Sequence, residues 1–449
     1  MTPQQALPLA LVPPGPSGFP LFGVYRDIQA RPLELLERLR ADYGDVVKLS
    51  AGYQLYVVAH PDGVKHVLQD NHVNYKKGFD YERMEPLVGH GLLTANGDEW
   101  KRHRRIAQPS FHRQRVMGFG ALMVRHAHRA LERWRALGDG AELDLHAEMM
   151  RLTLDIVADA LFSVDLAGGS VKADGVAEAL GEALHLINVR VNDFVALPMW
   201  IPTPFNLALK KNVRVLDALV NDIIRERRKA PASDDLLSML MDAHDEEGQL
   251  SDEELRDEVM TMVLAGHETT ANALSFTYLL LTQHPDVRER LEQSLGDAAP
   301  TPEDLPKLQY VKQVVEESMR LYPPAWALGR QAIADDVVMG YRIPKGALVM
   351  VSQWLTHRDA RFWPRPTEFD PSRFEQEAVQ QRHRFAAFPF GGGPRLCIGM
   401  AFAMMELQLL VATLARAVRF EVLEPQKVEL EPLITLRPKG GLRARLRWR

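Results

Sequence analysis

One thiol in 449 residues sets the first limit on this chain. Cys397 closes the stretch Phe390-Gly391-Gly392-Gly393-Pro394-Arg395-Leu396-Cys397-Ile398-Gly399, and an apolar run over 400–414 that reads as a helix follows it. A lone cysteine forms no internal disulfide, so its setting must suggest its use. Residues 391–393 let the backbone turn tightly and approach a flat group closely. The following helix aims N–H groups and its positive dipole end at the sulfur, which favours a thiolate. A glycine nest before a helix also suits phosphate, but Pro394 removes a donor and the Lys-Ser/Thr ending of a phosphate loop is absent. The residues alone leave two readings open, a buried inert cysteine and a thiolate put to use.

Length alone suggests about three domains. No stretch rich in Gly, Ser or Pro divides the middle, so one catalytic unit over 1–449 is expected, with a strap at 1–23, a β-rich portion mainly at 44–60 and 330–355, and an α-rich remainder. Hydrophobic residues at 46% and charged ones at 25% suit a globular core, and a net charge of -5 gives no reason to expect nucleic acid. The apolar run 6–12 is broken by Pro8 and far short of the roughly 20 residues that span a bilayer. With one cysteine and no Asn-x-Ser/Thr site, a cytoplasmic monomer without membrane anchor or fused reductase is expected.

A helix pattern over 32–43 gives way to β-rich stretches at 46–49 and 55–59. Apolar residues at helical spacing then predict helices at 98–107, 115–137 and 143–162, and around 176–189 and 206–228. Ser251-x-x-Glu254 is a capping box, and the helix it opens can run to about Gln283 before His284-Pro285. Some 30 residues at 1.5 Å each give roughly 45 Å. The nine acidic residues between Asp242 and Glu258 read as a solvated loop and a first turn. A charged helix ending at Arg320, short strands near 335–350 and a hairpin-like segment over 433–447 with Gly440-Gly441 at its turn complete a fold that is mainly α with a smaller β portion, an α+β chain.

Phe390-Gly391-x-Gly393-x-Arg395-x-Cys397-x-Gly399 resembles the haem-binding signature of the cytochrome P450 family. The resemblance implies a haem b whose iron takes the Cys397 thiolate as proximal ligand, with Arg395 on a propionate, Phe390 beside the sulfur, and Gly391 and Gly399 shaping the loop. Ala265-Gly266-His267-Glu268-Thr269-Thr270 lies inside the long helix. A zinc-protease reading of His267-Glu268 fails, because a second histidine is needed at 271 and Ala271 stands there. The six residues are similar to the family's distal-helix motif, where Gly266 would loosen the helix, Thr269 hold a hydrogen-bonded water and Glu268 relay protons. The plainer reading bonds Thr269 back to its own helix and leaves Glu268 on a surface network. His267 and Thr270 are assigned to packing or solvent.

Glu317-Ser318-Met319-Arg320, followed by Leu321-Tyr322-Pro323-Pro324 and by Phe369-Asp370-Pro371-Ser372-Arg373-Phe374, resembles the family's Glu-x-x-Arg helix and downstream arginine motif. It implies a buried structural network of Glu317, Arg320 and Arg373, with Ser372 where a glutamate is more usual. Trp100-x-x-x-Arg104 puts two donors on one helix face. The family uses that pair, and often an arginine at the place of Arg330, on the propionates; a solvated basic face is the alternative. Lys101, Arg102 and Arg105, with Arg382-His383-Arg384, would offer basic ground to an acidic ferredoxin or flavodoxin, or are merely solvated. Ala265, Ala325, Ile434 and Leu87 are the expected walls of a substrate pocket, although such clusters also make ordinary core.

The resemblance, from Pro13-Pro14-Gly15-Pro16 to the final hairpin, implies a soluble bacterial-type haem-thiolate monooxygenase. It would take electrons from a separate ferredoxin or flavodoxin with its reductase and insert one oxygen atom from dioxygen into a hydrophobic small molecule, a fatty acid, terpenoid or similar, as a hydroxylase does. A peroxide-driven haem enzyme and a haem carrier without turnover are the competing readings. The intact Glu268-Thr269 pair argues against the first.

Overall fold

Branched and aromatic residues in short apolar alternations, Val46-Val47-x-Leu49 and Leu55-Tyr56-Val57-Val58, form the paired strands β1 (Val46–Ser50) and β2 (Gln54–Val58). Three later strands join them: β3 (Tyr75–Lys76), β4 (Leu328–Ala332) and β5 (Leu348–Val351). The five lie in the order β1-β2-β5-β4-β3. Strand β5 runs parallel to β2, with Met350 beside Val57, and antiparallel to β4, with Val349 beside Arg330. Strand β3 closes the edge with Lys76 opposite Gln331. Val58, Val64, Val349, Val351, Phe385 and Phe388 fill the core under this sheet.

The computed structural model describes residues 10–16, 24–50, 53–163, 171–193, 196–229, 235–246, 248–296 and 298–449. Most of the expected strap over 1–23 thus lies outside the described residues. By its contacts the chain divides into two compact units, each assembled from three stretches. The first takes Met1–Asp80, Arg320–Glu368 and Glu375–Cys397, and holds the five-stranded sheet. The second takes Tyr81–Met319, Phe369–Phe374 and Ile398–Arg449.

The second unit is built around a helix of 32 residues, Asp252–Gln283. Its predicted capping box is present: the Glu254 N–H donates to Ser251 Oγ at 3.2 Å and the Ser251 N–H to Glu254 Oε2 at 2.7 Å. It stops where expected, since Pro285 cannot continue it and opens the next helix. Helices Leu145–Phe162 and Met400–Ala417 pack on it. The latter is apolar and long enough to cross a membrane, but 67% of it is buried in the fold, as befits a core helix.

The expected hairpin over 433–447 does not form. Leu436–Pro438 pairs with Leu430–Pro432, whereas Arg443–Trp448 pairs with Val418–Val422 and Glu142–Asp144. Gly440-Gly441 is a link between two sheets rather than the turn of one. The acidic stretch also differs from its reading as solvated ground, for Asp257 and Glu258 are buried. Asp257 accepts the His90 N–H at 2.7 Å, and Glu258 accepts the Leu92 N–H at 3.0 Å and pairs with buried His103 at 2.8 Å.

Candidate functional site

In the first unit, the thiol loop is shaped by close backbone contacts. Gly393 has φ +65°, and a Cβ there would come within 1.8 Å of the Leu68 carbonyl oxygen. No other residue fits. Gly391, at φ +75°, also takes a conformation that L side chains rarely adopt. The loop is cross-tied: the Gly391 N–H donates to the Phe388 carbonyl at 2.9 Å, and the Cys397 N–H to the Phe390 carbonyl at 3.0 Å. Phe390 is half-buried, while Cys397 is exposed at the loop's end, so the inert core cysteine is ruled out. Gly399, by contrast, has an ordinary φ of -84° as the N-cap of helix Met400–Ala417. A side chain there would meet only ordinary contact from Phe111 at 3.9 Å.

Beside this loop the sheet brings cations together. Strand pairing of Lys76 with Gln331 carries Lys77, the next residue, alongside Arg330. Burial first, and then the Arg330 and Arg395 guanidinium groups, hold the Lys77 ammonium well below its usual range, with Asp80 opposing them. Arg330 is buried and donates to the Gly329 carbonyl at 2.7 Å. Arg330 and Arg395, named from sequence, are thus brought together around Lys77, which sequence reasoning missed. Two guanidinium groups and a lysine amine near one carboxylate suit a ligand carrying carboxylates, and the exposed sulfur at the end of the same loop suits a soft metal. A haem has both features, two propionates and an iron, so this donor set fits the expected group.

In the second unit, Trp100 and Arg104 line a common open cavity of about 390 Å³ with Lys101, Arg105 and His112. The pair therefore shares a recess, as its helical spacing requires. The neighbouring cations do not form bare basic ground. Lys101 pairs with Asp98 at 2.8 Å, Arg102 with Glu254 at 2.6 Å and Arg105 with Asp245 at 2.6 Å. In the first unit, His383 lies 3.2 Å from Asp62 and Arg382 stacks 4.0 Å over Trp363. Acidic partners within the chain offset part of the charge expected to attract an acidic partner.

From Val259 to Leu281 the long helix is buried except at Met262, Val263, Ala265, Gly266 and Thr269, which fall on one face. Gly266 does not loosen the helix, which is α-helical throughout; a Cβ there would sit 3.0 Å from Val157, so it admits helix Leu145–Phe162 closely. Ala265 is exposed, and the Thr269 hydroxyl donates to its carbonyl at 2.6 Å, as the plainer reading expected. Glu268 departs from that reading. It is buried, and its Oε1 accepts the Thr435 hydroxyl at 2.6 Å. Asn272 donates to the same hydroxyl oxygen at 3.1 Å. Burial raises the Glu268 carboxyl above its usual range, against the Thr435 hydroxyl and the Arg437 charge. Thr435 escaped sequence reasoning because only the fold carries its loop to the helix.

Ile434 is half-buried, and its N–H donates to buried Asn188 at 2.8 Å. Ala325, in the first unit, is also half-buried. Leu87 has no accessible surface, so it can only pack behind a pocket wall. Glu317 is fully buried, lies 3.4 Å from Arg373 and accepts the Asp370 N–H at 2.9 Å. Ser372 bonds to Asp370 through its N–H and hydroxyl at 3.1 and 2.6 Å. Arg320, in the first unit, is buried and donates to the carbonyls of His357, Pro366 and Glu368 at 2.9, 2.7 and 3.0 Å.

The family profile described as Cytochrome P450 matches residues 13–442. The chain is 33% identical over 437 residues to "Cyclooctatin synthase" of Streptomyces melanosporofaciens, covering 94% of this chain and 92% of that one. It is 32% identical over 441 residues to "Pentalenene oxygenase" of Streptomyces avermitilis, covering 96% of each. The fold superposes on the crystal structure of the cytochrome P450DA heme domain with a TM-score of 0.89 at 26% identity, over 98% of this chain and 99% of that one.

Proposed function

The chain belongs to the cytochrome P450 family and is a haem monooxygenase; from that premise we propose that it oxidises an apolar, terpenoid-like molecule, inserting one oxygen atom from dioxygen with electrons from a separate ferredoxin or flavodoxin system. When bound, the haem supplies an iron centre for dioxygen activation. Cys397 would hold that iron. In the first unit Arg330, Arg395 and Lys77 would hold propionate, and in the second Trp100 and Arg104 are donors of the same kind.

The remaining chemistry falls to the long helix. Glu268 is a buried acid whose carboxyl burial raises above its usual range, which favours its holding a proton that it can give and regain. Thr435 fixes its carboxyl. Thr269 donates its own hydrogen to the Ala265 carbonyl, which leaves its oxygen to accept a hydrogen bond from water. Ala265 is small and exposed, so it leaves room for an apolar substrate beside that hydroxyl. Ile434, half-buried in the same unit, supplies further apolar surface.

The observation that carries this reading is the helix face itself, an open strip in the buried stretch 259–281, with Thr269 on it and buried Glu268 next to it in sequence. The terpenoid leaning draws on relatives named for pentalenene and for cyclooctat-9-en-7-ol. A screen of terpenoids and fatty acids by haem spectral shift, followed by turnover with a ferredoxin system under isotopically labelled dioxygen, tests it. A labelled terpenoid product is expected. Turnover with peroxide alone, undiminished in Thr269→Ala and indifferent to the ferredoxin system, would sink it. In the same preparation Cys397→His is expected to lose the red-shifted Soret band that a thiolate gives the ferrous carbonyl complex.

A further inference from the structure

His357 belongs to no motif considered above, yet it sits where the first unit's buried arginine meets the thiol loop. It caps the short helix Gln353–Thr356 and is fully buried. Its backbone carbonyl receives Arg320 Nη1 at 2.9 Å, and its ring Nε2 lies 2.9 Å from the Phe388 N–H. A backbone N–H only donates, so Nε2 is the acceptor and the ring is neutral, with its proton on Nδ1. The Phe388 ring meets the imidazole edge-on at 5.2 Å and 86°.

Beyond Phe388 the ties continue into the loop. The Phe388 carbonyl accepts the Gly391 N–H, and the Phe390 carbonyl accepts the Cys397 N–H. Hydrogen bonds thus lead, with a short covalent step at each residue, from Arg320 through His357 to the residue that bears the sulfur. Burial, with the Arg320, Arg358 and Arg382 charges around it, holds the imidazole well below its usual pKa, which keeps the acceptor available. Trp363 adds a second anchor, its indole N–H donating to the Ala386 carbonyl at 3.2 Å.

We propose that His357 is a positioning residue for the thiol: by accepting the Phe388 N–H it fixes the start of the loop 388–397 and so the place of the Cys397 sulfur under the haem. This rests on the haem-thiolate reading and adds to it a residue that acts through the loop. A residue that merely packed would lower the melting temperature when replaced. It would leave the spectrum of the folded holoenzyme unchanged.

The test compares ferrous carbonyl spectra of wild-type, His357→Leu and His357→Gln holoenzyme, well below the melting temperature of each. The red-shifted thiolate band should dominate in wild type and fall at least several-fold in the leucine variant, which fills the space but accepts nothing. The glutamine variant, with an amide oxygen as acceptor, should regain most of it. A leucine variant with the full wild-type band overturns the proposal, as does a glutamine variant that holds haem but loses the band equally. Should His357→Leu not fold, hydrogen exchange at the Phe388 amide of the wild-type holoenzyme decides. Slow exchange, as for a buried bonded amide, is expected, and exchange at the rate of an open loop overturns it. A wild type without the band refutes the thiolate reading itself, and the Phe388 exchange still reports on His357 separately.

Discussion

Glu268 and Thr269 are neighbours in sequence with opposite surroundings, one buried against Thr435 and the other facing out beside Ala265. Their assigned work differs accordingly. Thr269→Ala should bind substrate as before, since the hydroxyl bonds only to its own helix, while diverting electrons to hydrogen peroxide; a peroxide assay against product yield checks this, and full coupling would refute it. Glu268→Gln removes the acid but keeps an oxygen for Thr435. Product formation should drop about 10²-fold, with spectral binding of substrate retained. At this scale Cys397, Arg395, Arg330, Glu268 and Thr269 were singled out by the resemblance of their motifs to a family pattern. Lys77 and Thr435 were not, because a lysine at a strand end and a threonine in a loop acquire meaning only from cross-strand register and loop docking.

Elements were read best where local chemistry decides them. Helix Asp252–Gln283 has the start and stop that Ser251, Glu254 and Pro285 dictate. The last strands were misread because a glycine pair signals a turn but not which strands the turn joins. The same distance from local pattern hides the depth of burial. Asp257 and Glu258, read as solvated ground, are buried, whereas the Glu-x-x-Arg resemblance already implied burial for Glu317, which lies on helix Gln309–Leu321 with its carboxylate fully enclosed beside Arg373. Removing one partner of a buried ion pair costs about 3–5 kcal/mol. Glu317→Ala should therefore lower unfolding free energy by that order, read by denaturant titration of the holoenzyme. A change below about 1 kcal/mol, the range of exposed pairs, would mean that the pair is solvated.

Across the whole molecule, stability against pH depends on buried ionisable groups that the net charge of -5 does not reveal. Burial lowers the His146 and His267 imidazoles to about 4. The unfolded chain protonates them first, so stability falls as pH drops from about 6.5 towards 4. Glu406, on helix Met400–Ala417, works the other way. Burial pushes its carboxyl up to about 8, with the Thr270 hydroxyl opposing. The fold keeps that proton while the unfolded chain releases it near its usual value of about 4.3. Its contribution is therefore fully present below that value and is lost as pH rises towards about 8. Glu406→Gln, which cannot ionise, should flatten this limb, losing less unfolding free energy than wild type between pH 5 and pH 8. Parallel profiles for the two proteins would show that Glu406 titrates as an ordinary carboxylate, and so that water reaches the contact between the long helix and the helix that follows the thiol.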